Sequence, residues 1–551
     1  MRSIEQRVGL LFALFLLVFS VVLARAVWLQ GVRGGELAAE ARSQQTETVL
    51  VPGVRGKIVD RGGRQLALSE EAATIFATPY QIDDPAQAAH ALAGVLDTPE
   101  DEILDAISDR NSGFAYVARK VDLATAEEIR KLKIEGIGQL PDSRRVYPDG
   151  ELASQVIGAV GLENQGLSGL EAMYDDVLGG TDGEAEVTRD ALGETIKRET
   201  LTGASTGEDI RLTIDAELQA RTEDVLAQVA QTYSPAAATA VVMNPRSSQV
   251  LALANWPAVE LTDLSSAAPE DLTNMATGFT YEPGSTFKAF TVAAALEEGL
   301  VTPETMFDLP PTIQVADRTI EESHEGGGGT LTTADILAQS SNVGAVKIGL
   351  EVGAEQFDHW VRELGFGDPT GVQLPAEEQG IVPPVEDYSG STMGNLPIGQ
   401  GLSVTPIQMA AAYAAIANGG ILRPPQLVLE AGGEEVAHED GTRVISEQTA
   451  ERLRQMLEGV LAPGGTASEV SVPGYRLAGK TGTAEKAVEG GYSESDFVAS
   501  FVGFAPVDNP GLLAVIVVDE PRGSYYGGEV AAPAFGEIAE FALPYLGIPT
   551  G

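Results

Sequence analysis

The sequence is poor in the residues that hold metals and form cross-links. Its 551 residues include no cysteine, which excludes disulfide bonds and thiolate metal sites. The histidines are scattered, without the close spacing that a zinc site requires, so we expect no metal centre. A Ser-His-Asp triad also has few candidates for its base. The four histidines are His90, His324, His359 and His438.

Positive charge is scarce as well. Lysine and arginine together number 35, against 80 aspartates and glutamates, and the formal net charge is −45. Nucleic-acid binding draws its affinity from lysine and arginine on phosphates, so a nucleic-acid partner is excluded. An excess of acid more often indicates a strongly hydrated surface. A chain of this length is too long for one ordinary core, and we expect two or three domains.

Long apolar runs are missing except near the amino terminus. Residues 8–24 carry no charge and are rich in Leu, Phe and Val. If Arg25 snorkels, the run extends to Leu29, and about 22 residues at about 1.5 Å each reach roughly 33 Å, enough to cross a bilayer. We therefore predict a transmembrane anchor at 8–29 behind a short cytoplasmic tail at 1–7. The alternative is a cleaved signal peptide, because residues 24–26, Ala-Arg-Ala, resemble a cleavage site.

The chain after the anchor is nowhere apolar enough to cross a membrane again. This predicts a single-pass protein of the cell membrane, with its amino terminus in the cytoplasm and its bulk outside, periplasmic or external. A polar stretch rich in Gly and Thr at 202–208 marks a domain boundary. Residues 45–205 show short strand and helix patterns without a nucleophile–base pair, which predicts a structural α+β module. Residues 208–548 are predicted to form one large mixed domain.

A first chemical motif lies near the start of the large domain. Pro283-Gly284 leads into a run of helix formers that stops near Gly299, which places Ser285 in the first helical turn and Lys288 on the same face. A lysine held neutral by burial can take the proton of a serine and activate it as a nucleophile. The alternative is a capping serine beside a surface lysine. Of the nine lysines, only Lys288 has a serine three residues before it.

A second motif, Ser340-Ser341-Asn342, lies between a predicted helix at 331–339 and a second helix that begins at Val343. The hydroxyl of Ser340 can relay a proton, and the amide of Asn342 can hold a substrate carbonyl. The alternative is an ordinary helix-breaking cap. The sequence contains no other Ser-x-Asn.

A third motif, Lys480-Thr481-Gly482-Thr483, lies in a segment predicted as an edge strand. The cation of Lys480 and the hydroxyl of Thr481 suit a substrate carboxylate, and Gly482 is expected to let a ligand approach closely. The amide of Thr483 is expected to join that of Ser285 in stabilising an oxyanion.

The third motif has a competing interpretation as a phosphate loop. Residues 474–481 satisfy G-x-x-x-x-G-K-[ST], and the apolar run 512–518 followed by Asp519 imitates a nucleotide-binding ATPase. A phosphate loop, however, follows an apolar strand and opens a helix, whereas residues 475–478 are predicted to be extended. Residues 497–504 and 512–518 favour an antiparallel strand pair. A compartment outside the cytoplasm also lacks ATP.

The three motifs, in this order and about 55 and 140 residues apart, resemble the signature of penicillin-recognising acyl-serine enzymes. Other segments resemble class B penicillin-binding proteins, and the resemblance runs from the anchor to about residue 545. Residues 281–288 and the overall layout are most similar to the division-type, septal enzymes, with the elongation type as the alternative. The segments that resemble the pedestal (dimerisation-type) module are 55–61, 145–148 and 166–171, and those that resemble the transpeptidase domain are 212–215 and 399–406.

The resemblance implies an α+β multi-domain fold. It consists of an N-terminal membrane helix, a mixed α+β pedestal module and a penicillin-recognising, serine β-lactamase-like transpeptidase domain whose antiparallel sheet is flanked by helices. It implies a D,D-transpeptidase that cross-links peptidoglycan stem peptides during septal cell-wall synthesis and is blocked by β-lactam antibiotics. No cofactor is called for. The implied partners are the lipid-linked peptidoglycan precursor, a membrane glycan polymerase and division proteins.

The resemblance also implies roles for the motif residues. Ser285 forms the acyl-enzyme and Lys288 accepts its proton. Ser340 and Asn342 complete the proton relay and the grip on the substrate. The substrate carboxylate is bound around Lys480, Thr481, Gly482 and Thr483.

Two other functions share these motifs. A β-lactamase of class A needs a Glu-x-x-Leu-Asn element after Ser-x-Asn to activate water, and none follows Asn342. A sensor or scaffold that is acylated without turnover stays open, because it would keep every motif residue.

Overall fold

A computed structural model describes residues 2–36, 46–189, 195–322, 328–488 and 491–550. The chain forms two compact units, each built from several segments. The amino-terminal unit comprises residues 1–54, 71–144 and 180–207, and the large unit comprises residues 55–70, 145–179 and 208–551.

One helix of the described residues is long and apolar enough to cross a membrane. It spans Arg2–Val27 and continues as a π-helical turn over Trp28–Val32. An 18-residue stretch within Ile4–Val32 has a mean hydropathy of 2.7, and none of that stretch is buried inside the protein. The helix contains the predicted segment 8–29 and extends beyond it at both ends. It fits a single-pass membrane anchor.

The amino-terminal unit has a small apolar core between strands and helices. Ile75, Leu92 and Ile103 are buried in this core. Two of its helices begin at aspartates whose side chains accept a backbone N–H, as N-cap residues commonly do. Its helices are Pro85–Ala93, Glu100–Ile107 and Leu123–Leu132. One group of its strands comprises the carboxyl-terminal half of Gln65–Ala77, then Ala115–Asp122 and most of Ile137–Val146. A separate antiparallel sheet is formed by Thr46–Val51, Gly183–Arg189 and Thr195–Thr202.

A buried ion cluster lies in the large unit. Glu171 is fully buried and accepts from two arginines, from Arg55 Nε at 2.5 Å and from Arg145 Nε at 2.7 Å. Arg55 also pairs with Asp175 at 2.5 Å. A buried carboxylate is tolerated only when it is paired in this way. The cluster therefore joins residue 55 to residues 145–175, which are distant in sequence.

A five-stranded antiparallel sheet forms the centre of the large unit. Its strands are β1 (Ala237–Asn244), β2 (Gln249–Trp256), β3 (Ala478–Val488), β4 (Gly491–Ala505) and β5 (Leu512–Asp519). They lie in the order β2-β1-β5-β4-β3, so β3 is an edge strand. The predicted antiparallel pair is present, since Ala505 lies opposite Leu512 and Val498 lies opposite Asp519.

Both faces of this sheet are buried. Alternate residues of β5 belong to two different apolar clusters, Ala514 and Ile516 to one and Val515 and Val517 to the other. A strand buried on both faces is apolar throughout, which explains the continuous apolar run of β5.

The helices of the large unit include α1 (Ala216–Tyr233), α2 (Lys288–Glu297), α3 (Thr333–Ala338), α4 (Asn342–Val352), α5 (Ala354–Glu363), α6 (Pro406–Ala417), α7 (Glu447–Glu458) and α8 (Ala532–Tyr545).

Helices cover the two faces in layers. α1 and α8 contribute to the cluster on one face, and α2, α6 and α7 contribute to the cluster on the other. Every residue of α2 from Lys288 to Leu296 is buried, so this helix lies in the core of the unit. The predicted α+β multi-domain fold, with an apolar N-terminal helix and an antiparallel sheet flanked by helices, is confirmed.

Candidate active site

Ser285 lies where the chain turns into α2. Residues Gly284–Phe287 form a 3₁₀ turn, and the α-helix begins directly after it at Lys288. Ser285 thus lies one turn ahead of the regular helix, slightly earlier than predicted. Gly284 has a φ of +55°, which glycine adopts readily, and a Cβ there would lie 3.1 Å from the Thr483 carbonyl oxygen. The turn that carries Ser285 therefore packs closely against β3.

Lys288 is fully buried and is hydrogen-bonded to Ser340 and Asn342 of the second motif. Its Nζ donates to the Ser340 carbonyl oxygen at 2.6 Å, to Ser340 Oγ at 3.3 Å and to Asn342 Oδ1 at 2.6 Å. Burial lowers the pKa of the Lys288 amine to about 7, against a smaller opposing effect of the Glu322 charge. At neutral pH a large fraction of this amine is therefore uncharged and able to accept a proton.

The second motif forms the junction between α3 and α4. Thr332 caps α3 in a capping box with Asp335, and Ser341 caps α4 by accepting from the Gly344 N–H at 2.9 Å. Ser340 has a φ of +61°, an uncommon conformation for a residue with a side chain. α4 begins at Asn342, one residue before the predicted start. The junction turns Ser340 and Asn342 toward Lys288.

The third motif lies on the edge strand β3, as predicted. Lys480 is fully buried, and its Nζ donates to the Thr481 carbonyl oxygen at 3.3 Å. The hydroxyls of Thr481 and Thr466 lie 2.7 Å apart, and Thr483 Oγ1 accepts from the Gly527 N–H at 3.0 Å. Residues 478–488 are strand throughout, so the lysine is followed by strand and not by the helix that a phosphate loop opens. The nucleotide-binding alternative is therefore excluded.

The packing of the protein itself requires a glycine at position 482. A Cβ at this position would lie 2.3 Å from Ser500 Oγ, 2.9 Å from Thr286 Cγ2 and 3.0 Å from the Pro283 carbonyl oxygen. The glycine lets β3 approach β4 and the Ser285 turn. The expected close approach of a ligand at Gly482 stays a prediction.

An open cleft of about 690 Å³ brings the three motifs together. Ser285, Ser340, Asn342, Thr481 and Thr483 all line it. The other three motif residues, Lys288, Lys480 and Gly482, are buried and do not line it. The cleft thus presents hydroxyl and amide groups to a ligand, with two lysine amines in the protein behind them.

Sequence reasoning missed the aromatic and acidic residues of the cleft. The rings of Phe497 and Tyr525 stack with centroids 4.1 Å apart, and Tyr526 lies 4.5 Å from Tyr525. In the sequence these residues are marked by the Tyr525-Tyr526 pair alone, and this pair belongs to no motif with a defined spacing. Three carboxylates also line the cleft, those of Glu469, Glu485 and Glu529. No group of three His, Asp or Glu side chains in the described ranges is placed to hold a metal ion.

Comparison with known proteins matches nearly the whole chain. The family model of the penicillin-binding protein transpeptidase domain matches residues 238–540, and that of the penicillin-binding protein dimerisation domain matches residues 50–212. Stage V sporulation protein D of Bacillus subtilis is 36% identical, over 99% of this chain and 87% of that protein. The peptidoglycan D,D-transpeptidase FtsI of Escherichia coli is 33% identical, over 99% of this chain and 92% of that protein.

A solved structure shows the same fold. Penicillin-binding protein 3 of Mycobacterium tuberculosis in complex with ampicillin is similar with a TM-score of 0.72 and 31% identity, over 91% of this chain and 97% of that chain. The fold and the cleft are thus those of a penicillin-recognising serine enzyme. The chain belongs to the class B penicillin-binding proteins, which confirms the predicted resemblance, including that to the division-type transpeptidases.

Proposed function

We propose that this chain cross-links peptidoglycan stem peptides in septal wall synthesis through an ester on Ser285. The observation that carries the assignment of Ser285 is the state of Lys288. Its amine is fully buried, the pKa of that amine is lowered to about 7, and the amine is hydrogen-bonded to Ser340 and Asn342 of the second motif. A neutral amine one helical turn from a serine in the cleft is the base that the nucleophile needs.

In the first step Ser285 Oγ attacks the carbonyl carbon between the two terminal D-alanines of a stem peptide. The hydroxyl proton goes to Lys288 Nζ, and the amides of Ser285 and Thr483 stabilise the oxyanion. The C–N bond then breaks. The proton passes from Lys288 by way of the Ser340 hydroxyl to the amine of the departing D-alanine, and Asn342 holds the substrate amide.

In the second step an amine of a neighbouring stem peptide attacks the ester carbon. A C–N bond forms, the C–O bond to Ser285 breaks, and the proton lost by the amine returns to Ser285 Oγ through Lys288. Because the acyl group moves between two amines, the reaction needs no redox cofactor.

The terminal carboxylate of the substrate is bound at the third motif. The Thr481 and Thr483 hydroxyls line the cleft and donate to it, and Lys480 supplies positive charge from behind the strand. Burial lowers the pKa of Lys480 well below its ordinary value, and an arriving carboxylate raises that pKa again. The bound carboxylate thus favours the charged form of Lys480. Gly482 contributes by holding β3 against the Ser285 turn.

The ester with penicillin tests this assignment. Brief exposure to penicillin is expected to add one adduct to the intact mass, peptide mapping is expected to locate it on Ser285, and Ser285→Ala is expected to show none. The adduct should persist, and the protein should transfer D-Ala-type thioester substrates to D-amino acids. Rapid loss with accumulating hydrolysed penicillin would indicate a β-lactamase. A stable adduct without transfer would indicate a sensor or scaffold.

The placement of the chain follows from its anchor. We place residues 1–7 in the cytoplasm and everything after the anchor outside it, where the lipid-linked precursor, a membrane glycan polymerase and division proteins are the partners. The pedestal module is assigned to 45–205 and the transpeptidase domain to 208–548. Protease added to intact spheroplasts is expected to digest almost the whole chain, whereas protection of the bulk would reverse the orientation.

A further inference from the structure

Glu322 contacts the second motif with both of its carboxylate oxygens. Oε1 accepts a hydrogen bond from the Ser341 hydroxyl at 2.6 Å, and Oε2 accepts one from the Asn342 backbone N–H at 2.8 Å. The residue directly follows the hairpin strand Arg318–Glu321. The carbonyl oxygen of Glu321 accepts from Asn342 Nδ2 at 2.9 Å. The end of this hairpin therefore holds the start of α4 at three points.

These contacts determine which atom of the Asn342 amide faces Lys288. Because Nδ2 is bound to the Glu321 carbonyl oxygen, Oδ1 is directed to the lysine and accepts from Nζ at 2.6 Å. The reversed amide would set the two nitrogen donors against each other. The orientation of Asn342 is thus set by the hairpin as well as by its own helix.

The charge of Glu322 suits its position. The first N–H groups of a helix lack intrahelical partners and carry partial positive charge, so a carboxylate at the start of the eleven-residue α4 is stabilised. Ser341 joins in this arrangement, since its hydroxyl donates to Glu322 while accepting from the Gly344 N–H. The same negative charge opposes the effect of burial on the pKa of Lys288. Lys480 is a second buried amine near Lys288, and burial together with the Lys288 charge lowers its own pKa well below the ordinary value.

We propose that Glu322 is a positioning residue of the acyl-transfer site, which holds Ser341 and Asn342 in the arrangement that receives Lys288 and presents a negative charge to the lysine amine. This rests on the proposed roles of Ser285 and Lys288. A general base works best when its pKa lies near the working pH. Burial without Glu322 would lower the pKa of Lys288 further and leave a weaker base in a less fixed position.

Glu322→Gln tests the proposal, because it removes the charge and keeps the size. Two quantities are measured: the pKa of the Lys288 amine, by NMR of isotope-labelled lysine in the full-length protein in detergent, and the rate of acylation by penicillin against pH. We expect the pKa to fall, the acid limb of the profile to move to lower pH, and the maximal rate to fall about tenfold to a hundredfold. Assignment is practical because the sequence has nine lysines.

Two further variants separate charge from shape. Glu322→Asp keeps the charge on a shorter side chain, and we expect it to restore the pKa of Lys288 more fully than the rate. Glu351→Gln makes the same charge change at an exposed position near the other end of α4, and both quantities should stay at wild-type values.

An unchanged Lys288 pKa in Glu322→Gln would overturn the proposal even if the rate fell, because the residue would then support the fold alone. An unchanged rate and pH profile would overturn it as well. Failure of the proposed function gives a different result. In that case the wild-type protein forms no ester at Ser285, while the titration of Lys288 is still measurable.

Discussion

Lys480 is buried beside Lys288, although the two lysines come from motifs almost 200 residues apart. Burial lowers the pKa of Lys480 well below its ordinary value, and the charge of Lys288 lowers it further. Two amines that share a buried site disfavour protonation of each other. The pKa of each amine is therefore below that of an exposed lysine, and an anion that binds nearby favours the charged form of both.

The pH dependence of acylation should report Lys288. Below about pH 7 most Lys288 amines carry a proton and cannot accept another, so the rate of acylation by penicillin is expected to fall as pH decreases through this value. Lys288→Arg keeps a charge at every pH and should lose about a hundredfold or more of the rate. Lys347→Arg, on the same domain but away from the cleft, is the control. A flat profile in the wild-type protein would remove Lys288 from the proton transfer.

Lys480→Ala should impair carboxylate recognition more than nucleophile activation. Lys480 is fully buried behind the strand, and solvent screens a buried charge less than an exposed one. Acylation by a β-lactam that carries a carboxylate is expected to fall far more than acylation by a small reactive thioester without one. Comparison of the two acylation rates in the same variant measures the difference. Equal losses would place Lys480 in the proton transfer instead.

Gly482→Ala should separate β3 from its neighbours. The added Cβ would lie 2.3 Å from Ser500 Oγ, and overpacking of this kind costs about 1–3 kcal/mol. We expect a lower melting temperature and slower acylation by penicillin. Ser500→Ala in the same chain removes the nearest clashing atom and should restore part of both.

The control for this prediction is Gly491→Ala on β4, where an added Cβ would meet nothing within 4 Å. If Gly482→Ala has the same melting temperature and acylation rate as Gly491→Ala, the neighbours of Gly482 accommodate a methyl group at little cost in stability.

Glu171→Ala should destabilise the large unit strongly. It leaves the buried Arg55 and Arg145 without their shared carboxylate, and breaking a buried pair costs about 3–5 kcal/mol. Urea unfolding followed by tryptophan fluorescence measures the change in midpoint. Glu430→Ala removes the carboxylate of a surface pair with Arg211, where we expect about 1 kcal/mol or less. Similar midpoints for the two variants would contradict a stabilising role of the cluster.

The chemical motifs could be predicted from the sequence because each depends on local spacing. The turn at Ser285, the helix that follows Lys288 and the strand around Lys480 are all set by neighbouring residues. The single occurrence of each motif, in a fixed order, then indicated that they meet in one site. The antiparallel pairing of β4 and β5 was likewise apparent from two apolar runs joined by a turn.

Other features depend on contacts between distant residues and leave no local pattern. Glu322 reaches Asn342 only because a hairpin folds back onto α4. Tyr525 meets Phe497 across two separate segments. Residues 55–70 belong to the large unit because Ile58 pairs with Ile210, and the pairing of Arg55 with Glu171 joins residues 145–179 to them. The tight packing at Gly482 could not be predicted, because its neighbours in space, Ser500 and Thr286, are not its neighbours in sequence.

The edge position of β3 has a consequence for the range of ligands. On its outer side β3 has no strand partner among the described residues, so its main-chain groups there are not taken up by a neighbouring strand. An extended peptide can pair with such an edge as an added strand, and the hydrogen bonds of this pairing are made to the main chain of the ligand. Variation in the side chains of the ligand then has little effect on its binding, so the site accepts different ligands without a wider pocket. The exposed Glu485 on the same edge deters pairing with a second protein chain.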